Sequence, residues 1–224
     1  QCLVEALAPM AESRSPLRGM KASGQLRLTT GRRLISPPNL NTRPTTSRVR
    51  EALMNLLAPR LEGSRWLDLC CGSGVVGCEA IERGAAAVVA IDRDPRCTKI
   101  CEQNLQTMTG KNDPNIEVRV IRSELLSWLR KGWSSTPFDV IYFDPPYESD
   151  LYEGVLASLS QKNWMNPDGI VVCEHRSKAT LDLGSSWIIT GQRRYGSSSL
   201  LLLSRPEPRR GDTGSMQQQT SQEE

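Results

Sequence analysis

Asp144-Pro145-Pro146-Tyr147 forms an acidic and aromatic loop directly after the apolar run Val140-Ile141-Tyr142-Phe143. Proline fixes φ and removes a backbone donor, so two in succession leave carbonyls that cannot all be tied into a β-ladder. They can accept hydrogen bonds instead. An exocyclic amino group of a nucleic-acid base needs such acceptors, because its lone pair is delocalised into the ring and the nitrogen must become more tetrahedral to attack a methyl group. Asp144 and the Pro145 carbonyl suit that task, Pro146 stiffens the loop with Pro145, and Tyr147 is placed to stack on the base and align the nitrogen for in-line displacement. A paired base would first be flipped out. Taken alone, the four residues also fit an ordinary turn.

A second cluster supplies the partner for that chemistry. Asp68-Leu69-Cys70-Cys71-Gly72-Ser73-Gly74-Val75-Val76-Gly77 follows a strand-like run and opens a helical one, so its glycines allow a tight turn and a close ligand. Gly72, Gly74 and Gly77 also fit the dinucleotide fingerprint, with Asp92 and its neighbour Arg93 at the next strand end, where an acid binds ribose hydroxyls. A nicotinamide-dependent oxidoreductase is therefore a rival. Asp68 tips the balance, since a carboxylate at that strand end repels a pyrophosphate but accommodates the ammonium and sulfonium of S-adenosylmethionine. Glu124 and Leu125, at a third strand end, are candidates to receive the adenine amino group and line its ring. Glu124 fits equally well as a favourable charge at a helix N-terminus.

The elements that must position these groups alternate. Strands are predicted at Trp66–Cys70, Ala87–Ile91, Ile116–Ile121, Val140–Phe143 and Ile170–Cys173, with helices at Val75–Arg83, Pro95–Met108, Glu124–Arg130 and Asp150–Leu159 between them. That is the pattern of a parallel sheet covered on both faces, an α/β fold. Trp187–Arg194 and Leu200–Ser204 close the chain as a hairpin. Upstream, Gln25–Leu28 alternates like a short strand, and Ser47–Ala58 places Val49, Leu53, Leu56 and Leu57 on one helical face before Pro59. Residues 1–22 form a lead outside the fold, 23–204 one domain with 23–46 as a basic β or loop extension, and 205–224 a disordered tail.

Of 224 residues, 28 are Lys or Arg and 25 are Asp or Glu, a net charge of +3. Nine of the basic residues and none of the acids fall between 13 and 50, so a basic arm precedes a mildly acidic domain. Such an arm suits a polyphosphate, although a solvated tail has the same composition. No apolar run approaches the roughly 18 to 20 residues of a membrane span. Glu5 and Glu12 break any signal-peptide pattern, which points to a cytoplasmic protein. Seven scattered cysteines without a Cys-x-x-Cys pair, and one histidine, give no expectation of a metal.

Over residues 23–204 the chain resembles the bacterial 16S ribosomal RNA guanine-N2 methyltransferases of the RsmD type. Arg43-Pro44-Thr45-Thr46-Ser47-Arg48-Val49-Arg50-Glu51-Ala52-Leu53 looks like that family's N-terminal block, and Tyr195-Gly196-Ser197 like its closing hairpin. The resemblance implies a Rossmann-like class I S-adenosylmethionine-dependent methyltransferase fold, with a seven-stranded, mostly parallel sheet, an antiparallel last strand and a small N-terminal β extension. It implies methylation of a guanine N2 in 16S rRNA, free or within a small-subunit assembly intermediate, by a monomer without metal. On this footing Arg27, Arg32, Arg33, Arg43, Thr45, Thr46 and Arg48 are RNA-facing, Glu51 or Arg50 anchors the methionine end, and Arg194 and Tyr195 lie on the substrate side. The alternatives are a DNA adenine-N6 or cytosine-N4 methyltransferase, the oxidoreductase above, and a non-catalytic RNA-binding module.

Overall fold

A computed structural model describes residues 25–37, 45–109, 115–146, 150–161 and 163–206. The expected lead over 1–22 and all but the first two residues of the expected tail lie outside them.

β1 (Arg65–Leu69), α2 (Val75–Glu82), β2 (Ala87–Asp92), α3 (Pro95–Thr109), β3 (Glu117–Arg122), α4 (Leu125–Lys131), β4 (Phe138–Phe143), α5 (Leu151–Gln161) and β5 (Met165–Arg176) alternate as the sequence predicts. They follow α1 (Ser47–Leu57), and β6 (Ile188–Tyr195) and β7 (Ser198–Ser204) complete the sheet. The strand order is β3-β2-β1-β4-β5-β7-β6. β1 to β5 run parallel, and β7 runs antiparallel to both β5 and β6. Order reverses between β1 and β4, the crevice where open α/β sheets take their ligands.

Burial explains why these strands were legible. Trp66 to Leu69 and Ala87 to Ile91 are buried throughout because helices cover both faces, so they appear in sequence as apolar runs rather than alternations. β3, at an edge, has no fully buried residue. One core cluster joins α1, α2 and α3 to Trp66, Val140, Tyr142, Val172 and Leu200, and the other joins α4 and α5 to Leu67, Ile141, Phe143 and Leu201. In the second, Trp128 and Trp164 sit with ring centroids 4.7 Å apart.

β5 is much longer than predicted. Pro167 and Gly169 look like a turn in sequence, but the chain continues through them with a register shift opposite Phe138 and Val140. Conversely, the predicted strand Gln25–Leu28 shrinks to a single bridge between Arg27 and Arg33 around a tight turn. That turn is fastened by side chains instead. Thr29 donates its N–H and hydroxyl to the two carboxylate oxygens of Glu79, each at 2.8 Å, and Ile35 N–H donates to Asn104 Oδ1 at 2.8 Å. No helix of the described residues is long and apolar enough to cross a membrane.

Candidate active site

β1 delivers Asp68 to the crevice, and the chain then turns sharply. Cys70 takes a left-handed φ of 65°, rare for a side-chain-bearing residue, and Gly72 and Gly74 follow at 53° and 73°. Cys71 N–H bonds to Ile91 O at 2.9 Å and Gly74 N–H to Cys71 O at 2.8 Å. The three glycines do different work. A Cβ on Gly74 would lie 2.5 Å from Cys101 Sγ and 3.2 Å from its Cα, and one on Gly77 would lie 3.0 Å from Val88 Cγ1, so both allow α2 to pack closely. A Cβ on Gly72 would meet nothing within 4 Å, which makes this the glycine that faces open space.

Asp92 holds the loop from β2. Its Oδ2 accepts from Gly72 N–H and its Oδ1 from Asp94 N–H, both at 2.9 Å. Arg93 beside it is exposed. Asp68 is buried at 2% exposure, and its Oδ2 has no hydrogen-bond partner among the described residues. Burial pushes its carboxyl up to about 7, helped by the negative charge of Asp92 and opposed by the Gly77 N–H. The Cys70 thiol is pushed far up by burial and by Asp92, Asp68 and Asp144, which places it among three acids as a neutral group.

The Asp144-Pro145-Pro146 corner stands across the switch point at the end of β4. Thr45, from the segment before α1, donates its hydroxyl to Asp144 Oδ2 at 2.9 Å. Behind them Tyr142 donates its hydroxyl to Glu174 Oε2 at 2.8 Å, and Tyr152 donates to the Glu174 carbonyl at 2.7 Å. Burial holds the Asp144 carboxyl well above the usual range, Glu174 and Asp68 push the same way, and the Thr45 hydroxyl opposes them. Tyr142, raised by burial and then by Asp144 and Glu174, stays a neutral phenol. Pro145 is buried and Pro146 exposed, while Tyr147 lies outside the described residues.

Several expected roles change on this geometry. Arg50 does not anchor a ligand, because its whole guanidinium is occupied inside the protein. Nε meets Glu79 Oε1 at 3.3 Å, and Nη1 and Nη2 donate to the carbonyls of Thr45 and Arg27 at 2.6 and 2.7 Å. Glu51 is exposed on α1. Glu124 spends its carboxylate on Leu126 and Ser127 N–H at 3.1 and 2.7 Å, capping α4, and Leu125 is buried in the second core cluster. Thr45 belongs to the Asp144 corner rather than to a phosphate-facing arm. Thr46 caps α1 through Val49 N–H at 3.4 Å, and Arg48 is exposed in its first turn. Arg27, Arg32 and Arg33 lie on the turn packed across α2 and α3, with Arg32 beside Glu82 at 3.8 Å and Arg27 donating to Gly31 O. Arg43 lies outside the described residues. Tyr142 and Glu174 were missed, although a glutamate after the apolar run Ile170-Val171-Val172-Cys173 is the kind of buried polar residue that signals a site.

The described residues contain no group of three His, Cys, Asp or Glu side chains placed to hold a metal ion.

Residues 22–204 match the sequence family described as "Conserved hypothetical protein 95". The chain is 35% identical over 157 residues to ribosomal RNA small subunit methyltransferase D of Escherichia coli K12, covering 68% of this chain and 75% of that one. It is 31% identical over 179 residues to the Haemophilus influenzae protein of the same name, covering 78% and 91%. The solved structure of yhhF from Escherichia coli superposes with a TM-score of 0.68 at 32% identity, over 81% of this chain and 98% of that one.

Proposed function

The chain belongs to the conserved hypothetical protein 95 family as a methyltransferase of the RsmD type, and on that premise we propose that it methylates the exocyclic N2 amine of a guanine in 16S ribosomal RNA, using S-adenosylmethionine. Family membership displaces the oxidoreductase and the non-catalytic binding module. Methyltransferases of this fold generally use that cofactor, and the donor set fits it. A buried carboxylate oxygen without a partner at Asp68, an open approach at Gly72, and Asp92 and Asp144 nearby make an acidic, glycine-walled crevice that suits an ammonium and a sulfonium. Bound there, the cofactor supplies an electrophilic methyl group.

The residues of the chain do the rest. The observation that carries the proposal is the Thr45–Asp144 contact at the switch point, 99 residues apart in sequence and 2.9 Å apart in space. With Oδ2 held by Thr45, Oδ1 is the oxygen left to accept an amine hydrogen, together with the Pro145 carbonyl. A half-buried carboxyl pushed upward is also a base able to take the proton that the nitrogen sheds on methylation. Tyr147 follows directly and keeps its proposed stacking role.

Two tests follow. Thr45→Val is expected to lower kcat about tenfold or more, the usual effect of removing a hydrogen bond to a charged group, with Thr45→Ser close to wild type. The RNA KM should not move; a raised KM with unchanged kcat would return Thr45 to an RNA-docking role. Asp68 predicts a pH dependence of cofactor affinity. Its carboxylate must be ionised to meet a cation, so affinity for S-adenosylhomocysteine is full above about pH 7. Below that it should fall by up to about tenfold per unit. Titration calorimetry across that range checks the sign, and a flat profile would remove Asp68 from the ammonium site.

A further inference from the structure

We propose that the β6–β7 hairpin and the turn after β5 form a docking surface for single-stranded RNA beside the catalytic corner, with Arg193 and Tyr195 as its central contacts. RNA as the occupant rests on the methyltransferase function proposed above. The surface itself follows from sheet register. Phe143 pairs with Cys173 at the end of β4, and Asp144, the next residue, is close enough to Glu174 to feel its charge. Glu174 pairs with Leu200, and Leu200 with Arg193. Asp144 therefore lies three strand spacings or about 14 Å from Arg193. Alternation along the strands puts Arg193 and Tyr195 on the sheet face of Leu200, which is also the face of Tyr142.

β6 ends the sheet, so this flank of the crevice is open. Tyr195 is half-buried against the first core cluster, which holds one side of its ring, and Arg193 is exposed. Lys178 is exposed on the turn after β5, and Arg194 is exposed on the opposite face of β6. Among the described residues none of these three cations is in an ion pair, unlike Arg32 on the N-terminal turn. Residues 183–206 contain Arg193, Arg194 and Arg205 and no Asp or Glu. The turn is also preformed. Ser177 N–H donates to Ser197 O at 2.9 Å, Ser177 Oγ to Gly196 O at 3.0 Å, and Arg194 Nε to the same carbonyl at 3.4 Å. A held aromatic ring with Arg193 on the same face and Lys178 on the adjoining turn suits unstacked bases and their phosphates. A paired helix offers no free base face to Tyr195.

The test uses the full chain and a short single-stranded oligoribonucleotide. Tyr195→Leu is expected to weaken binding about tenfold and Tyr195→Phe by less than about twofold, the pattern of a stacking contact. Arg193→Ala, at an exposed position that does not threaten folding, should lower the salt slope of log affinity by about 0.7. S-adenosylhomocysteine affinity should not change, and with 16S rRNA the KM should rise while kcat holds. Unchanged RNA affinity and salt slope in Arg193→Ala and Tyr195→Leu would overturn the surface, as would equal competition by duplex RNA. Wild-type protein that methylates no rRNA would instead overturn the proposed function, so the two failures are distinguishable.

Discussion

Asp144→Asn is expected to lower methyl transfer by about a thousandfold while leaving S-adenosylhomocysteine affinity within about threefold of wild type. The amide keeps the carbonyl that Thr45 needs, since Thr45 Oγ1 donates to Oδ2, so the local fold has no reason to change. What it loses is charge and basicity. An asparagine NH₂ turned toward the substrate would face the amine donor to donor, and its oxygen cannot take the departing proton. Burial and Glu174, which hold the Asp144 carboxyl high in the wild type, act on an ionisable group that the variant lacks. Single-turnover rates with rRNA, measured beside calorimetry with the cofactor product, separate this from a binding defect. A variant with more than a tenth of wild-type rate would remove Asp144 from the chemical step.

The largest stability effect is expected at Arg50. Arg50 and Glu79 have side chains 4% and 0% exposed, and the pair ties α1 to α2, while Arg50 also holds the carbonyls of Thr45 and Arg27. Removing one partner from a buried ion pair leaves an uncompensated charge, at a typical cost of about 3 to 5 kcal/mol. Arg83, 2.7 Å from Glu79 Oε2, still neutralises part of that charge. Arg50→Met should therefore destabilise by about 3 kcal/mol, at the lower end of that range. Denaturant unfolding measures it, and a loss under about 1 kcal/mol would mean that Arg83 and Thr29 satisfy Glu79 alone. Activity should fall as well, because the Arg50–Thr45 contact at 2.6 Å fixes the residue that orients Asp144.

What the sequence disclosed and what it hid divide along physical lines. The parallel strands and the glycine loop were legible because burial on both faces writes apolar runs, and the turn after β1 takes a positive φ at Gly72 and Gly74 that favours glycine. β5 was cut short because Pro167 and Gly169 are local turn signals, and only the register against Phe138 shows the chain passing through them. Asp144 was legible from its prolines. Its partners were not: Thr45 is 99 residues away, and Glu174 meets Tyr142 across 32. Such pairings exist only once the sheet has assembled. Arg50 and the N-terminal arginines show the same limit in the other direction. A run of basic residues suggests phosphate, yet Arg50 was committed to an internal glutamate and two carbonyls, which no one-dimensional charge count reveals. Glu124 had two equal readings in sequence, and two backbone N–H groups decided for the helix cap.

The most direct measurement is nucleoside mass spectrometry of unmodified 16S rRNA after incubation with the protein and methyl-labelled S-adenosylmethionine. The expected result is label in N2-methylguanosine at one position, absent with Asp144→Asn and with single- or double-stranded DNA offered instead. Label in methyladenosine or methylcytosine, or transfer to DNA alone, would contradict the assignment of this corner to a guanine of ribosomal RNA.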